Sequence, residues 1–350
     1  MLTKLTIAAA TLLLCLMHGG GACIEADPLD GYRLSEPVVH ENLAIHFIHG
    51  QSRGGPIPLT LQEALAKRVI EVREIGQVNE LEVENTGAEE VFIQAGDIVK
   101  GGQQDRVLSV SLVLPPHSGA TSIPSFCVES GRWSARGSED VGSFSSANAA
   151  LPSRVAKIAM AKTAPTRRDG TPSDDMATRQ REIWGSVSQI QGKLSANLGA
   201  PVAAPRSQTS LQLSLENPRL EGEQERYVSA LHALGEQDND IVGYAFAING
   251  RLNSADIYPS NGLFRKMWPK LLRASATEAI AARDAANEPA PPKATITEFF
   301  GAANSTRGIE TSAAKPSRVE IRESSKALVL EARPAAAPAS AWVHRNYLAK

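Results

Sequence analysis

The sequence predicts an α+β protein, with a β-rich, antiparallel sandwich- or barrel-like N-terminal domain followed by a smaller α/β domain. Three observations carry this expectation. Between residues 43 and 128, short apolar runs recur, most with period-two alternation, and are closed by turns containing Gly, Pro or Asn, the pattern of half-buried antiparallel strands. From residue 176 onward the apolar spacing becomes helical, interrupted by one hairpin. Between the two, residues 136–175 are rich in Ser, Ala, Gly, Pro, Thr, Lys and Arg, which predicts a linker or long mobile loop.

The elements follow in chain order. Met1 to Lys4 is a short positive stretch, Leu5 to Met17 is apolar, and Gly19, Gly20, Gly21 and Ala22 supply small residues before a cut after Ala22. That layout predicts a secretory signal peptide over residues 1–22, with an apolar part too short to span a bilayer. The protein is therefore expected to be exported, to the periplasm or beyond. Cys23 follows the cut directly and is a candidate for lipidation, although Gly20 stands where lipoprotein signals usually carry Leu.

Leu43 to His49 reads as an apolar strand. Thr60, with Glu63 three residues later, forms a capping box ahead of Leu61, Ala64 and Leu65 and predicts a short helix. Alternation predicts strands around Ile70–Val72, Leu81–Val83, Val91–Ala95, Leu108–Leu114 and Ile123–Val128, so the β-rich domain is placed at 28–135. A short helix is expected within the linker, at Val155 to Met160. The α/β domain, 176–282, carries helical stripes from Ile183 to Leu198 and from Tyr227 to Leu234, the second stopped by Gly235. Ile241 to Ile248 and a return strand flank the Asn249-Gly250 turn, and Phe264 to Leu272 marks a helix kinked or restarted at Pro269. The Ala- and Pro-rich stretch 283–350 is expected to be largely disordered, with an isolated hairpin at Val319–Glu323 and Leu328–Glu331.

Composition narrows the function classes. Lys plus Arg is 36 against 38 Asp plus Glu, a formal net charge of −2, so the cationic excess that nucleic acid requires is missing. Three cysteines in 350 residues exclude a disulfide-dense scaffold and any multi-cysteine zinc or iron–sulfur site. Beyond the N-terminus no stretch approaches the ~20 apolar residues of a membrane span, which leaves a lipid on Cys23 as the expected membrane connection. No cofactor or metal site is expected. Gly96-x4-Gly101-Gly102 lacks the Lys-Ser/Thr pair of a phosphate loop, there is no Gly-x-Ser-x-Gly elbow, and His46 and His49 fall on opposite faces of one strand.

The segment Val91-Phe-Ile-Gln-Ala-Gly-Asp-Ile-Val-Lys-Gly-Gly-Gln-Gln-Asp-Arg-Val-Leu108, followed by Ile123-Pro-Ser-Phe-Cys-Val-Glu-Ser-Gly-Arg-Trp133, resembles the ARG and rhodanese-phosphatase-superfamily-associated protein domain family. The Leu-x-Glu-Ala run at 61–64 and the stretch from Val242 to Phe264 fit its earlier and later parts, so the resemblance spans about residues 40–280. It implies no established activity. One departure is that Gly102-Gln103 stands where the resemblance implies a small residue before a Lys-Gln pair, so a cation is replaced.

Read on their own, the same residues define one polar sheet edge. Alternation puts Phe126 and Val128 on one face and Ser125, Cys127 and Glu129 on the other. The edge gathers Gln104, Asp105, Arg106, Glu129, Arg132 and Trp133. Two guanidiniums beside a carboxylate and an indole suit an anion or a planar polar ligand, because Arg offers a bidentate fork and stacks on aromatics. The same set also suits an ion-pair network that closes the sheet end, with Trp133 in the core. Cys127 and Glu129 are the catalytic candidates, but a nucleophilic thiol needs a base or a strongly positive surround. The expectation is a non-catalytic small-ligand-binding or interaction module of the cell envelope, its small-molecule or protein partner unidentified. The alternative is a hydrolase or transferase acting on an anionic substrate through Cys127 or Glu129.

Overall fold

A computed structural model describes residues 29–134, 142–161, 176–283, 288–336, 338 and 341–350. The expected signal peptide and Cys23 lie outside the described residues, as do 136–141 and 162–175 of the expected linker.

The described residues open with three strands, β1 (Arg33–Leu34), β2 (Val38–His40) and β3 (Leu43–His49). β4 (Leu59–Thr60) runs into α1 (Leu61–Ala66), where the expected capping box is closed: the Thr60 hydroxyl accepts from the Glu63 N–H and the Glu63 carboxylate from the Thr60 N–H. In β5 (Ile70–Glu74) and β6 (Glu80–Asn85) burial alternates with the sequence. Five strands follow, β7 (Val91–Ile93), β8 (Ile98–Gly101), β9 (Arg106–Leu108), β10 (Leu112–Leu114) and β11 (Ala120–Cys127). The single strand expected at Leu108–Leu114 is therefore two. β9 pairs with β8 and β11, whereas β10 pairs with β7 in another sheet, and the chain changes sheets where Ser111 turns its hydroxyl inward.

β12 (Phe144–Ser146) and α2 (Arg154–Ala161) lie in the segment expected to be a linker, the helix where the sequence predicts a short one. α3 (Met176–Leu198), α4 (Leu211–Leu215) and α5 (Pro218–Leu231) come next, and α5 tightens into a 3-10 turn at His232–Glu236. A Cβ on Gly235 would lie 2.3 Å from the indole nitrogen of Trp268, which donates to the His232 carbonyl, so only glycine fits there. β13 (Ile241–Ile248) and β14 (Arg251–Ile257) are joined by Asn249-Gly250, with φ of 50° and 73°, the conformation that turn sequence favours. α6 (Asn261–Ala281) passes through Pro269 without restarting, because Trp268, Leu271 and Leu272 beside the proline are wholly buried and hold the helix in place.

The described residues of the expected disordered tail are structured instead. They form α7 (Lys293–Asn304), β15 (Gly308–Ala314), β16 (Ser317–Glu323), β17 (Ala327–Pro334) and β18 (His344–Ala349). β16 and β17 do pair, but not as an isolated hairpin: β18 lies between β14 and β17 and joins them to the main sheet. The Ala and Pro content hid this, because the apolar residues that anchor the strands meet partners far away in sequence.

A nine-stranded sheet runs β1-β3-β13-β14-β18-β17-β16-β15, with β2 beside β1 on the same edge of β3. β3, flanked on both edges, is buried at every position but its last. A six-stranded, barrel-like sheet runs β12-β8-β9-β11-β6-β5, and a small sheet runs β10-β7-β4. Every pairing among the described strands is antiparallel except β4 with β7. One core cluster joins β3 and β13 to α3, α5 and α6 and continues to Phe92, Val107 and Phe126. A second fills the barrel-like sheet, and a third joins the opposite face of the large sheet to α7.

One ion pair crosses from α6 to the β7–β8 turn. Lys270 donates to Asp97 at 2.7 Å, the two side chains being 5% and 2% exposed. Removing one partner of such a pair strands the other charge away from water. Asp97→Ala is expected to lower the unfolding free energy by about 3–5 kcal/mol, with Asp97→Ala/Lys270→Met recovering part of that loss, in urea titrations followed by circular dichroism.

Candidate functional site

The β8–β9 turn brings the expected edge together. Gly101 and Gly102 have φ of 133° and 56°, and a Cβ on Gly102 would strike the Phe144 ring and the Glu74 carboxylate. The turn reverses the chain so that Arg106 lies opposite Cys127 in the β9–β11 register. Asp105 is wholly buried, its Oδ1 accepting from the Gly101 N–H at 3.1 Å and its Oδ2 from the Ser210 hydroxyl at 2.9 Å. Glu129, equally buried, takes the Arg132 Nε–H at 2.7 Å on Oε2 and the Ser207 hydroxyl on Oε1. Arg106 is 1% exposed. Its Nη1 donates to the carbonyl and side-chain oxygens of Gln104, and its Nη2 stands 3.5 Å from Glu74. Arg132 reaches the Gly102 and Ser134 carbonyls and approaches Asp105 at 3.8 Å. Trp133 is not core: it is 49% exposed, its ring 5.5 Å from the Arg106 guanidinium carbon.

All six expected edge residues thus meet in one cluster. The sequence did not point to Glu74, Ser207 or Ser210. Ser210 carries a recognisable signal as the N-cap of α4, where its hydroxyl also accepts from the Leu213 N–H. Both faces of the strand end are buried, Ser125, Phe126, Cys127 and Val128 each being at most 1% exposed. The reason is α3, which lies across the strand: the Gln180 amide bonds both the N–H and the C=O of Cys127, replacing a neighbouring strand.

Every carboxylate here is engaged, but the guanidiniums are not saturated. Arg106 Nε and Arg132 Nη2 are buried without a hydrogen-bond partner among the described residues. The Cys127 thiol has the opposite of an activated environment. Burial pushes its pKa up, Arg106 opposes this, and the carboxylates of Glu74 and Glu129 push it further up.

A second polar constellation lies deeper and was not expected. The Ser111 hydroxyl meets His344 Nδ1 at 2.9 Å, and His344 Nε2 meets Asp256 Oδ1 at 3.0 Å. Burial alone would raise the Asp256 pKa, but the hydrogen bond and charge of His344, with Lys157 and Asn346, hold it below the ordinary carboxylate range. Asp256 accepts from Nε2–H, and Ser111 Oγ, which takes the Ala95 N–H, bonds Nδ1 on the other side of the ring. The order of groups is that of a nucleophile, its base and an orienting carboxylate. All three are at most 4% exposed and His344 packs against Phe92 and Tyr258, so in this conformation the chain ties β14 and β18 to the β9–β10 crossing.

His49, Asp238 and Asp240 bring ligand atoms within 4.8 Å of one another, but His49 already bonds Asp240 Oδ1 at 2.8 Å and Arg33 takes Oδ2. His46, on the other face of β3, lies between the carbonyls of Ser35 and Pro291. No helix among the described residues is long and apolar enough to cross a membrane.

These features define a mixed α+β protein in which a glycine-turned hairpin and the segment after β11 meet in an Arg–Glu–Trp cluster at one end of a barrel-like sheet. The chain belongs to the ARG and Rhodanese-Phosphatase-superfamily-associated Protein domain family, whose model matches residues 31–348. That match reaches past the expected span of about 40–280 and takes in α7 and β15 to β17. No curated protein and no solved structure matches the chain.

Two outcomes follow. In the native protein Cys127 should react with iodoacetamide far more slowly than a free thiol at pH 8, and at the free-thiol rate in denaturant, read by mass spectrometry. A carboxyl held below its usual range contributes stability that is whole above the unfolded value of ~3.9 and is lost as pH falls through the lower, folded value. Asp256→Asn should therefore lower stability at pH 7 and flatten the acid limb of the midpoint-against-pH curve.

Proposed function

We propose that the protein is an exported, non-catalytic module of the cell envelope that binds a small ligand at the Gln104, Asp105, Arg106, Glu129, Arg132 and Trp133 edge. The observation that carries this reading is the pair of buried guanidinium N–H groups, on Arg106 and Arg132, that find no acceptor among the described residues, with the half-exposed Trp133 indole against Arg106. Buried donors left unmet cost about 1–3 kcal/mol each, and a ligand acceptor would relieve that cost. Trp133 adds a flat surface on which a planar group stacks. Glu74, Asp105 and Glu129 already outnumber the two guanidiniums, which favours a neutral, planar, polar ligand over a strongly anionic one. Export rests on the N-terminal layout of residues 1–22, and a lipid anchor on Cys23. Catalysis by Cys127 has against it a buried thiol with a raised pKa, and catalysis by Glu129 a carboxylate committed to Arg132 and Ser207.

A thermal-shift screen tests the reading, with nucleotides, ADP-ribose, sugars, peptidoglycan fragments and amino acids as probes. A ligand at a hundred times its Kd adds about 2.7 kcal/mol and moves the midpoint by several degrees. Trp133→Ala should leave the ligand-free midpoint nearly unchanged and weaken the ligand about tenfold, the scale of one aromatic contact. Binding that is indifferent to both Trp133→Ala and Arg132→Ala would remove the edge from the account.

A further inference from the structure

Away from that edge, an open cleft of about 470 Å3 lies between the start of α2, α3, the β13–β14 turn and the end of α6. Small-molecule sites commonly measure ~300–1,000 Å3. The cleft shares no residue with the Trp133 edge.

Its floor holds an unmet acceptor. Asn253 is 8% exposed, and its Nδ2 donates to Glu278 Oε2 at 3.1 Å. The same oxygen accepts the Arg154 backbone N–H, the first of α2, at 3.2 Å. The orientation of the amide is fixed by that bond, and Asn253 Oδ1 is left buried with no partner among the described residues. The floor therefore offers acceptors, the Asn253 oxygen and the Glu278 carboxylate, beside the apolar side chains of Ile190 and Ile248. These groups call for hydroxyl donors on a compact carbon skeleton.

The rim has the opposite character. Lys193 is exposed and makes no ion pair among the described residues, and Arg251 reaches only Glu288, at 4.0 Å with both side chains largely in water. An exposed pair at that distance holds neither charge firmly. Arg154, whose Nη1 donates to the Leu252 carbonyl, adds a third cation to the lining. The rim thus calls for an anion.

The geometry points to a binding site for a polyhydroxylated organic anion of about hexose size. Its hydroxyls donate to Asn253 Oδ1 and Glu278, its carbon skeleton lies on Ile190 and Ile248, and its phosphate or carboxylate pairs with Lys193 and Arg251. This site does not depend on the edge described above.

Isothermal titration of the purified full chain with glucose 6-phosphate, glucuronate, glucose and inorganic phosphate tests the assignment. At least one of the two sugar anions is expected to bind tenfold or more tightly than glucose or inorganic phosphate, and the tighter of them identifies the anion. Asn253→Ala should weaken that binding tenfold or more. Lys193→Glu, an exposed change that spares the fold, should do the same, and Trp133→Ala should leave it unchanged. The assignment is overturned if neither sugar anion binds more tightly than inorganic phosphate, or if binding persists undiminished in Lys193→Glu.

Discussion

The buried pair of Lys270 and Asp97 sets the frame on which the other contacts depend. Taking two charges out of water is costly, and the pair is tolerable only because each member makes further bonds. Asp97 accepts the Gln94 N–H through its carboxylate and the Leu108 N–H through its carbonyl, and Lys270 also reaches the Ser146 hydroxyl. One ammonium on α6 thereby fixes the turn from which β8 departs, the return of β9 and the position of β12. The same turn passes the connection on: Gln94 accepts the Tyr258 hydroxyl, and Tyr258 stacks on His344. A polar spine therefore runs through the middle of an apolar molecule, from the central helix to the last strand of the large sheet.

The Arg–Glu–Trp cluster follows similar chemistry to a different end. Its carboxylates are met by backbone N–H groups, serine hydroxyls and arginines, as buried carboxylates must be. Its guanidiniums retain unmet N–H groups while an indole lies half in solvent. In the spine, each member of the ion pair is answered from within the protein; at the edge, two guanidinium N–H groups find no acceptor among the described residues. The cleft beside α2 repeats this on a smaller scale, with one fixed amide whose oxygen has no donor among the described residues.

Much of this was legible where the determining contacts are local. The capping box at Thr60 and Glu63, the Asn249-Gly250 hairpin and the alternation of β5 and β6 each depend on residues a few positions apart. The edge was legible because a hairpin and its antiparallel neighbour bring 104–106 and 127–133 together by register alone. Glu74 escaped notice because it joins across 29 residues to bond Gln103, and Ser207 because it comes from 78 residues away. The break between β9 and β10 was hidden for the same reason: Ser111 looks like the polar half of an alternation until His344, 233 residues on, turns it inward. The C-terminal strands were masked by their composition, since alanine and proline carry little periodic signal when the apolar anchors are sparse.

The position of β18 bears on how the molecule comes to be folded. β14 has β13 on one edge from the moment the hairpin closes, but its other edge is filled only by β18, whose His344 bonds Asp256 across 88 residues. Until that strand arrives, β14 presents a row of open backbone groups in the middle of what will become the largest sheet, a template that any other extended chain can copy. Closing such a long loop is also slow, because its entropy is lost before the contacts that reward it are made. The interval between making β14 and seating β18 is thus the vulnerable period in this protein's life, when misassembly with another copy competes with completion of its own sheet.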